Sequence, residues 1–388
     1  MEISTCVKYV GVNDHQVDLF EGQYKVPNGM SYNSYVILDE KIAVMDTVDG
    51  FFTEEWLNNV EQVLDGKMPD YLVIQHMEPD HSASIPAFLK KYPKATVVST
   101  AKGFQFMEQF FPEFFAGQGL PAEQRIVAAN DGVLELGQHS LHFVYAPMVH
   151  WPEVMMTYEA TEKILFAADG FGKFGALDVE EEWANEARRY YIGIVGKYGP
   201  QVQAVLKKAA GLDIQTICSL HGPVLKENLG FYLEKYDKWS SYQPEESGVV
   251  IAYASVYGNT RNAAEYLADV LQEKGQKTVL YDLARCDKAK AVADAFRYDR
   301  LVLAGITYNG DLFPCMRSFI EGLTERNYQN RKVAIIENGT WAPMAGKLIL
   351  GMFEKSKNLT FTETKVSIKS AMNAQNKEEI GKLAEELS

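Results

Sequence analysis

Residues 249–388 alternate between apolar strand-like runs and helical segments, and this alternation restricts the fold more than any other feature of the sequence. VVIAYAS (249–255) is a run typical of a buried strand, and TRNAAEYLADVLQEKG (260–275) follows it with helical periodicity. The pattern recurs through KTVLYDL, RLVLAGI, KVAIIEN and TKVSI, with a last helix near 377–387. Five strand–helix units in one segment predict a doubly wound parallel sheet of the α/β class.

Residues 1–240 have a different pattern, in which short strand-like runs and tight turns are mixed with helices. Runs rich in β-branched and aromatic residues lie at 34–47, 71–75, 95–100, 140–147 and 163–169. Helical periodicity appears at 180–198 and 200–211, so we expect sheets covered by helices. The polar segment SYQPEESG (241–248) is the best candidate for a linker between domains. We therefore predict two domains, residues 1–247 and 248–388.

The composition excludes several classes of protein. A net charge of −14 over 388 residues argues against a nucleic-acid partner. No segment is apolar enough to predict a membrane span. The four cysteines form no C-x-x-C pair, so a thiolate iron or zinc site is not expected. Scattered thiols fit a reducing compartment, and the N-terminal residues do not resemble a secretory signal, so we predict a cytoplasmic protein.

A loop between the first strand and helix of the second domain could hold a phosphate. SVYGNTR (255–261) combines a tight-turn glycine with side-chain donors at a helix N-terminus, where unpaired amides attract anions. The Walker lysine and the G-x-G-x-x-G pattern are missing, which favours a monophosphate over a nucleoside triphosphate or a dinucleotide. A polar turn without a ligand is the alternative for this loop taken alone.

Two further loops favour a flavin. TYNGDLFP (307–314) and ENGTWAP (337–343) follow the third and fourth strands, and each carries an aromatic ring that could stack on a flat ligand or belong to the core. Together the three loops predict flavin mononucleotide (FMN). The predicted contacts are Ser255, Val256, Tyr257, Gly258, Asn259, Thr260, Thr307, Tyr308, Asn309, Gly310, Asn338, Gly339, Thr340 and Trp341.

The segment QHMEPDHSAS (75–84) places imidazoles and carboxylates after a predicted strand. His76, Glu78, Asp80 and His81 lie within six positions, and Pro79 predicts a loop that can direct several side chains to one point. Imidazole and carboxylate together suit iron, zinc or manganese, although a polar loop is the alternative.

Three more potential ligands follow other predicted strands. His150, Asp169 and His221 stand beside small or turn residues at strand ends, whereas His15, His139 and His142 do not, and we interpret those three as structural. The seven residues therefore predict a metal centre rather than a polar loop.

These motifs resemble known families. Residues 248–388 resemble flavodoxin, although the third loop, ENGTWAP, is less glycine-rich than is usual. The order H-x-E-x-D-H, then His, Asp and His, resembles the metallo-β-lactamase-like fold and, more closely, the flavodiiron proteins, which join that domain to a flavodoxin-like domain. The resemblance covers essentially the whole chain. It implies an αββα sandwich in residues 1–247.

The resemblance also implies a ligand set and a cofactor content. It assigns His76, Glu78 and His150 to one iron and Asp80, His81 and His221 to a second, with Asp169 as the bridge. Zinc hydrolases of this fold usually have H-x-H-x-D-H, and the carboxylate of Glu78 in place of the second histidine favours iron. Two irons and one FMN per chain are expected.

The activity implied by the resemblance is reduction of dioxygen to water, of nitric oxide to nitrous oxide, or of both. A head-to-tail homodimer, alone or as a dimer of dimers, would bring each flavin to its partner's metal site. The electron donor would be a separate rubredoxin, a flavin reductase or a reduced deazaflavin. A zinc hydrolase with an accessory flavodoxin domain, and a redox carrier with a vestigial metal site, are the alternatives.

Overall fold

The computed structural model describes residues 3–115 and 119–388, which form two compact units. The N-terminal unit comprises Met1–Tyr191 and Pro200–Glu234, and the C-terminal unit comprises Ile192–Gly199 and Lys235–Ser388. The predicted linker is shorter than expected, because a strand already begins at Glu246. The domain boundary between residues 247 and 248 stays a prediction.

The N-terminal unit is built from short strands and helices that alternate along the chain. The strands up to residue 218 are β1 (Val7–Tyr9), β2 (Val12–Asp14), β3 (Leu19–Phe20), β4 (Tyr24–Lys25), β5 (Met30–Tyr32), β6 (Tyr35–Ile37), β7 (Ala43–Met45), β8 (Tyr71–Val73), β9 (Thr96–Ser99), β10 (Arg125–Val127), β11 (Val133–Glu135), β12 (Ser140–Tyr145), β13 (Met155–Glu159), β14 (Ile164–Phe166) and β15 (Thr216–Cys218). The helices up to residue 240 are α1 (Thr53–Leu64), α2 (Pro79–Ser82), α3 (Ile85–Lys91), α4 (Ala101–Phe110), α5 (Pro112–Phe115), α6 (Trp183–Tyr190), α7 (Gly199–Ala209) and α8 (Leu229–Ser240). Strands predicted from β-branched and aromatic runs are confirmed at β6 to β9, β12 and β14.

Two sheets enclose the core of the N-terminal unit. One has the order β1-β6-β7-β8-β9-β10 and the other the order β11-β12-β13-β14-β15. A buried cluster joins them, since Tyr35 and Val98 of the first sheet pack with Phe143, Phe166 and others of the second. Burial of these apolar side chains between two sheets produces a β-sandwich with helices outside.

The second sheet brings several strand ends to one edge. β12 is antiparallel to β13, β13 is antiparallel to β14, and β14 is parallel to β15. β12, β14 and β15 therefore run in the same direction, and the loops that follow them leave the sheet at the same edge. These loops carry His150, Asp169 and His221.

Residues 180–198, predicted as one helix, are more complex. α6 ends at Tyr190, a π-helical segment covers Tyr191–Val195, and a 3₁₀ turn covers Gly196–Tyr198 before α7 begins. Helical periodicity in the sequence does not distinguish these hydrogen-bonding patterns, because segments of five and three residues are too short to show a period of their own.

The C-terminal unit contains the predicted parallel sheet. Its strands are β16 (Glu246–Tyr253), β17 (Thr278–Asp282), β18 (Tyr298–Tyr308), β19 (Asp311–Leu312), β20 (Arg331–Asn338), β21 (Leu359–Phe361) and β22 (Val366–Ile368). Its helices are α9 (Asn259–Glu273), α10 (Lys288–Arg297), α11 (Pro314–Thr324), α12 (Ala345–Met352) and α13 (Ala374–Glu386). The order is β17-β16-β18-β20, and β21 and β22 both pair with β20 in parallel.

Two short strands, β21 and β22, share the fifth position of this sheet, which the sequence pattern did not indicate. β21 pairs with Arg331–Val333 of β20, whereas β22 pairs with Ile336–Asn338. Only β22 corresponds to the predicted strand TKVSI. The resulting 2-1-3-4-5 order is that of flavodoxin-like sheets, in which ligands bind at the carboxyl ends of the strands.

Across the described residues, no helix has both the length and the apolar character needed to cross a bilayer.

Candidate metal centre

The segment after β8 forms a loop followed by one helical turn. His76 and Glu78 lie in the loop, and α2 starts at Pro79, so Asp80 and His81 are helical. The expectation of a loop throughout is therefore wrong beyond Glu78. Proline is tolerated at the first helical position because no hydrogen bond is required from its nitrogen.

The first group of side chains comprises His76, Glu78, His150 and Asp169. His150 Nε2 lies 2.9 Å from Glu78 Oε2 and 3.2 Å from Asp169 Oδ2. His76 Nε2 lies 3.3 Å from each of the same two oxygens and 3.4 Å from His150 Nε2. Two donor atoms, each about 2.0–2.1 Å from one ion, are about 2.8–3.4 Å apart when the angle between them lies between a right angle and the tetrahedral angle. The observed separations between these donor atoms, 2.9–3.4 Å, fall within that range.

The second group comprises Asp80, His81 and His221, all buried. The Nε2 atoms of His81 and His221 are 3.0 Å apart, and each lies 3.3 Å from Asp80 Oδ2. The structure thus divides six of the seven residues into the two sets that the resemblance implied.

Asp169 lies between the two groups. Its Oδ2 faces His76 and His150, whereas its Oδ1 lies 3.2 Å from His81 Nε2 and 3.8 Å from His221 Nε2. Both its carboxylate oxygens, and both those of Asp80, are buried without a hydrogen-bond partner. Buried carboxylate oxygens without partners are costly unless a cation binds them, so the residues fit two metal ions that share Asp169.

Electrostatic interactions between the imidazoles and the carboxylates of these groups also support binding of metal ions. Burial lowers the pKa of His76 and His150, but the neighbouring carboxylates outweigh it and raise the pKa of His150 to about 9 and that of His76 well above its usual value. Burial likewise raises the pKa of Asp169 and Glu78, but the facing imidazoles hold both below their usual range. The carboxylates stay anionic at neutral pH, and a bound cation would balance that charge.

Outer hydrogen bonds orient two of the imidazole rings. His76 Nδ1 lies 2.8 Å from Glu153 Oε1, and His221 Nδ1 lies 2.7 Å from the carbonyl oxygen of Ser31. When each Nδ1–H donates to its oxygen, the Nε2 lone pair points into the centre, as in metal-bound histidines. Sequence reasoning missed both partners. The proximity of Glu153 to His150 in the chain was the one available signal.

Aromatic rings surround the ligands. The Trp151 ring lies 5.3 Å from that of His76 and 6.1 Å from that of His150. Phe20 and Tyr190 lie 5.5 Å and 5.4 Å from His221. These contacts restrict the ring orientations of the three histidines and cover part of the centre with apolar surface.

Replacing Glu153 with glutamine is expected to weaken metal binding. The change removes the charge that accepts from His76 Nδ1 and from the Met77 amide, and such outer partners are worth about 10–100-fold in metal affinity. Iron titration of the metal-free protein measures the effect. Glu159→Gln is the control, because that buried carboxylate accepts from the Thr161 and Glu162 amides and contacts none of the seven ligand residues among the described hydrogen bonds. The iron affinity of this variant at the centre should match the wild type.

A cavity of about 420 Å³ lies at the carboxyl ends of the strands in the C-terminal unit, within the range of about 300–1,000 Å³ typical of ligand sites. The predicted residues that line it are Ser255, Val256, Tyr257, Asn259, Thr260, Thr307, Tyr308, Asn309, Gly310, Asn338, Gly339, Thr340 and Trp341. Ile306, Ala342, Met344 and Ser370 also line it and were not predicted. The three loops thus form one cavity.

Gly258 is the predicted contact that does not line the cavity. It precedes α9 with a φ of 90°, a conformation that favours glycine, and its amide donates to Ser255 Oγ at 3.1 Å. It therefore shapes the loop at the helix N-terminus rather than forming the cavity wall.

Two loop side chains hold other loops in place. Thr307 Oγ1 accepts from the amides of Met344 and Ala345 at the start of α12, at 2.8 and 3.1 Å. Asn338 Nδ2 donates to Thr260 Oγ1 at 3.3 Å and to the Ser370 carbonyl at 2.9 Å. By contrast, Trp341 is 86% exposed and Tyr257 is 92% exposed, so neither ring belongs to the core.

Comparisons with known proteins agree with this geometry. A model described as ODP family beta lactamase matches residues 30–222, and a flavodoxin domain model matches residues 250–363. The anaerobic nitric oxide reductase flavorubredoxin of Vibrio vulnificus is 28% identical over 355 residues, which is 88% of this chain and 70% of that protein.

Solved structures resemble the chain over nearly its full length. Rubredoxin oxygen:oxidoreductase from Desulfovibrio gigas superimposes with a TM-score of 0.91 at 25% identity, covering 99% of this chain and 96% of that one. The flavodiiron protein from Giardia intestinalis gives a TM-score of 0.91 at 26% identity, covering 100% and 95%. The predicted fold class, a metallo-β-lactamase-like domain followed by a flavodoxin-like domain, is confirmed. Because both domain models and both structures agree, the chain belongs to the flavodiiron proteins, a family of oxidoreductases.

Proposed function

We propose that this protein reduces dioxygen to water, nitric oxide to nitrous oxide, or both, at a non-haem diiron centre supplied with electrons by FMN. The observation that carries the proposal is the pair of ligand groups that share Asp169, with the carboxylate of Glu78 in the first group. Relatives named for nitric oxide and for oxygen support both gases as candidates.

His76, Glu78 and His150 would hold one iron and Asp80, His81 and His221 the other, with Asp169 bridging. The spacing of the donor atoms and the unpartnered oxygens of Asp80 and Asp169 support this assignment. Three anionic oxygen donors favour iron, particularly oxidised iron, over a zinc–water site.

FMN would occupy the cavity of the C-terminal unit. The N-terminus of α9 and the SVYGNTR loop suit its phosphate, and the exposed rings of Tyr308 and Trp341 suit its flat ring system. Gly258 would contribute by holding the loop in its turn.

When bound, two ferrous ions and a reduced flavin would supply the four electrons that convert dioxygen to two waters, whereas two nitric oxide molecules need two electrons. The residues of this chain have positioning roles. Glu153 and the Ser31 carbonyl fix the ring orientation of His76 and His221, and Trp151 and Phe20 limit access of water to the ligands.

We also propose an assembly and an electron donor for this protein. A head-to-tail homodimer, alone or as a dimer of dimers, would place each flavin near the partner's metal centre. A separate rubredoxin, a flavin reductase or a reduced deazaflavin would donate electrons. A strictly monomeric form with full turnover would contradict the dimer. Cytoplasmic location stays a prediction.

Removal of the Trp341 side chain is expected to weaken FMN binding without unfolding the domain. Loss of one aromatic stacking contact costs about 1–3 kcal/mol, which raises the Kd for FMN about 5–150-fold. Quenching of flavin fluorescence on addition of the FMN-free protein measures the Kd. Phe51→Ala is the control, since this ring is 96% exposed and lies outside the cavity. An unchanged Kd for Trp341→Ala would contradict the stacking role.

The decisive experiment is anaerobic stopped-flow mixing of the fully reduced, metal- and flavin-analysed protein with dioxygen and, separately, with nitric oxide. Oxidation of the flavin with formation of water or nitrous oxide supports the proposal, and the ratio of the two rates ranks the substrates. Zinc without flavin, together with hydrolysis of a thioester or a lactam, would instead identify a zinc hydrolase.

A further inference from the structure

A third group of metal-ligating side chains lies at the other edge of the N-terminal sandwich. Donor atoms of Cys6, His139 and Glu162 are within 4.8 Å of one another. Cys6 immediately precedes β1, and His139 immediately precedes β12. Glu162 precedes β14. His150 and Asp169 follow β12 and β14, so the length of β12, about 20 Å for six residues, separates this group from the centre described above.

His139 is oriented as metal-binding histidines usually are. Its side chain is 7% exposed, and its Nδ1 lies 2.8 Å from Asp39 Oδ2, which also accepts from the His139 amide at 2.7 Å. A carboxylate that accepts from Nδ1–H leaves the Nε2 lone pair available for a cation. The Nε2 atom of His139 faces Glu162 and lies 3.9 Å from its Oε1.

Glu162 supplies an independent indication of a cation-binding site. Its Oε2 is buried and has no hydrogen-bond partner, although the backbone around it is well satisfied, with the Glu162 amide donating to Glu159 at 2.6 Å. A buried carboxylate oxygen without a partner is destabilising unless a positive charge approaches it. Cys6 is half-buried, and its Sγ lies 3.8 Å from Thr5 Oγ1, a weak contact that leaves the thiol able to turn toward the group.

We propose that Cys6, His139 and Glu162 form a third metal site of the zinc type, with Asp39 as the outer partner of His139. One thiolate, one imidazole and one carboxylate are the donor types that zinc accepts, and three protein ligands leave a fourth position for water. Sulfur and nitrogen donors on one tetrahedral zinc are about 3.6 Å apart, so the separations of at most 4.8 Å must contract by no more than about 1 Å. Rotation of the Cys6 and Glu162 side chains can supply this movement.

The site would connect both sheets of the sandwich. Cys6 adjoins β1 and Asp39 follows β6, both in the first sheet, whereas His139 and Glu162 adjoin β12 and β14 in the second. A metal ion bound only by the folded arrangement stabilises it by RT ln(1 + c/Kd), where c is the free metal concentration, so the stabilisation grows with the logarithm of that concentration. The amino-acid sequence did not indicate a thiolate site, because no two cysteines are close in the chain.

Cobalt titration of the full-length, iron- and FMN-loaded protein tests the site. Cysteine is not among the residues of the first two groups, so the near-ultraviolet charge-transfer absorption of a thiolate–cobalt bond would report on the third. We expect the wild type to develop this absorption with one equivalent of Co²⁺, and Cys6→Ser to lose it. Cys286→Ser is the matched control, because Cys286 is also half-buried but lies in the C-terminal unit, and it should retain the absorption.

A second variant tests the carboxylate. Glu162→Gln should keep the absorption but weaken cobalt binding at least about tenfold, because a charged ligand becomes neutral. Lack of a thiolate–cobalt band in the wild type, a full band in Cys6→Ser, or unchanged affinity in Glu162→Gln would each overturn the proposal. None of these outcomes bears on gas reduction at the diiron centre.

Discussion

Gas reduction by the Asp169→Ala variant is expected to fall at least about a hundredfold, since loss of an outer ligand partner alone costs about 10–100-fold and Asp169 faces both ligand groups directly. The substitution removes two buried anionic oxygens and leaves four imidazoles near each other with less compensating charge. Iron content should therefore decrease together with activity. Iron analysis of the purified variant and dioxygen or nitric oxide consumption with a chemical reductant measure the two effects.

The control for this prediction is Asp178→Ala. That side chain is 57% exposed and contacts His15, away from the ligand groups, so both iron content and gas reduction should match the wild type. Undiminished gas reduction by Asp169→Ala would contradict the prediction. It would favour the alternative of a redox carrier whose metal site takes no part in the reaction.

The Glu78→His variant is expected to exchange iron chemistry for zinc binding. Glu78 Oε2 lies 2.9 Å from His150 Nε2, and the imidazoles keep its pKa low, so it is an anionic donor in the first group. Histidine would recreate the H-x-H-x-D-H order of zinc hydrolases and remove that charge. We expect the zinc-to-iron ratio to rise at least about tenfold, about 1.4 kcal/mol in relative affinity, and gas reduction to be lost with the iron.

Anaerobic reconstitution with an equimolar mixture of ferrous iron and zinc, followed by metal analysis, gives the ratio relative to the wild type. Glu78→Asp is the matched variant, because it keeps the carboxylate and should keep the wild-type ratio. If Glu78→His bound both metals in the wild-type ratio and still reduced gas, the donor at this position would not determine the metal.

Local sequence patterns predicted many of the strands and helices of the fold. The alternation in VVIAYAS and the following helix predicts β16 and α9, because a parallel strand covered on both faces is apolar throughout, and an amphipathic helix repeats its apolar positions every three or four residues. The division of the fifth strand into β21 and β22 was not predictable in this way. It depends on which part of β20 each short segment meets, and that pairing is non-local.

The ligand residues were also accessible to sequence reasoning, since side chains at the ends of neighbouring strands meet at one sheet edge. Their partners were not. Glu153 reaches His76 across 77 positions of the chain, and Ser31 reaches His221 across 190. His139 was interpreted as structural because nothing near it in the chain indicated ligands, yet the fold places Cys6 and Glu162 beside it.

Residue identity and short-range periodicity are enough to predict the donor types at the main centre, the order in which they occur and the strand–loop–helix units that contain them. Three relations became visible in the fold alone. Asp169 lies between two ligand groups, Glu153 orients His76, and a thiol, an imidazole and a carboxylate come together at the far edge of the sandwich. Those relations follow from how the two sheets pack, and packing joins residues that no local pattern connects.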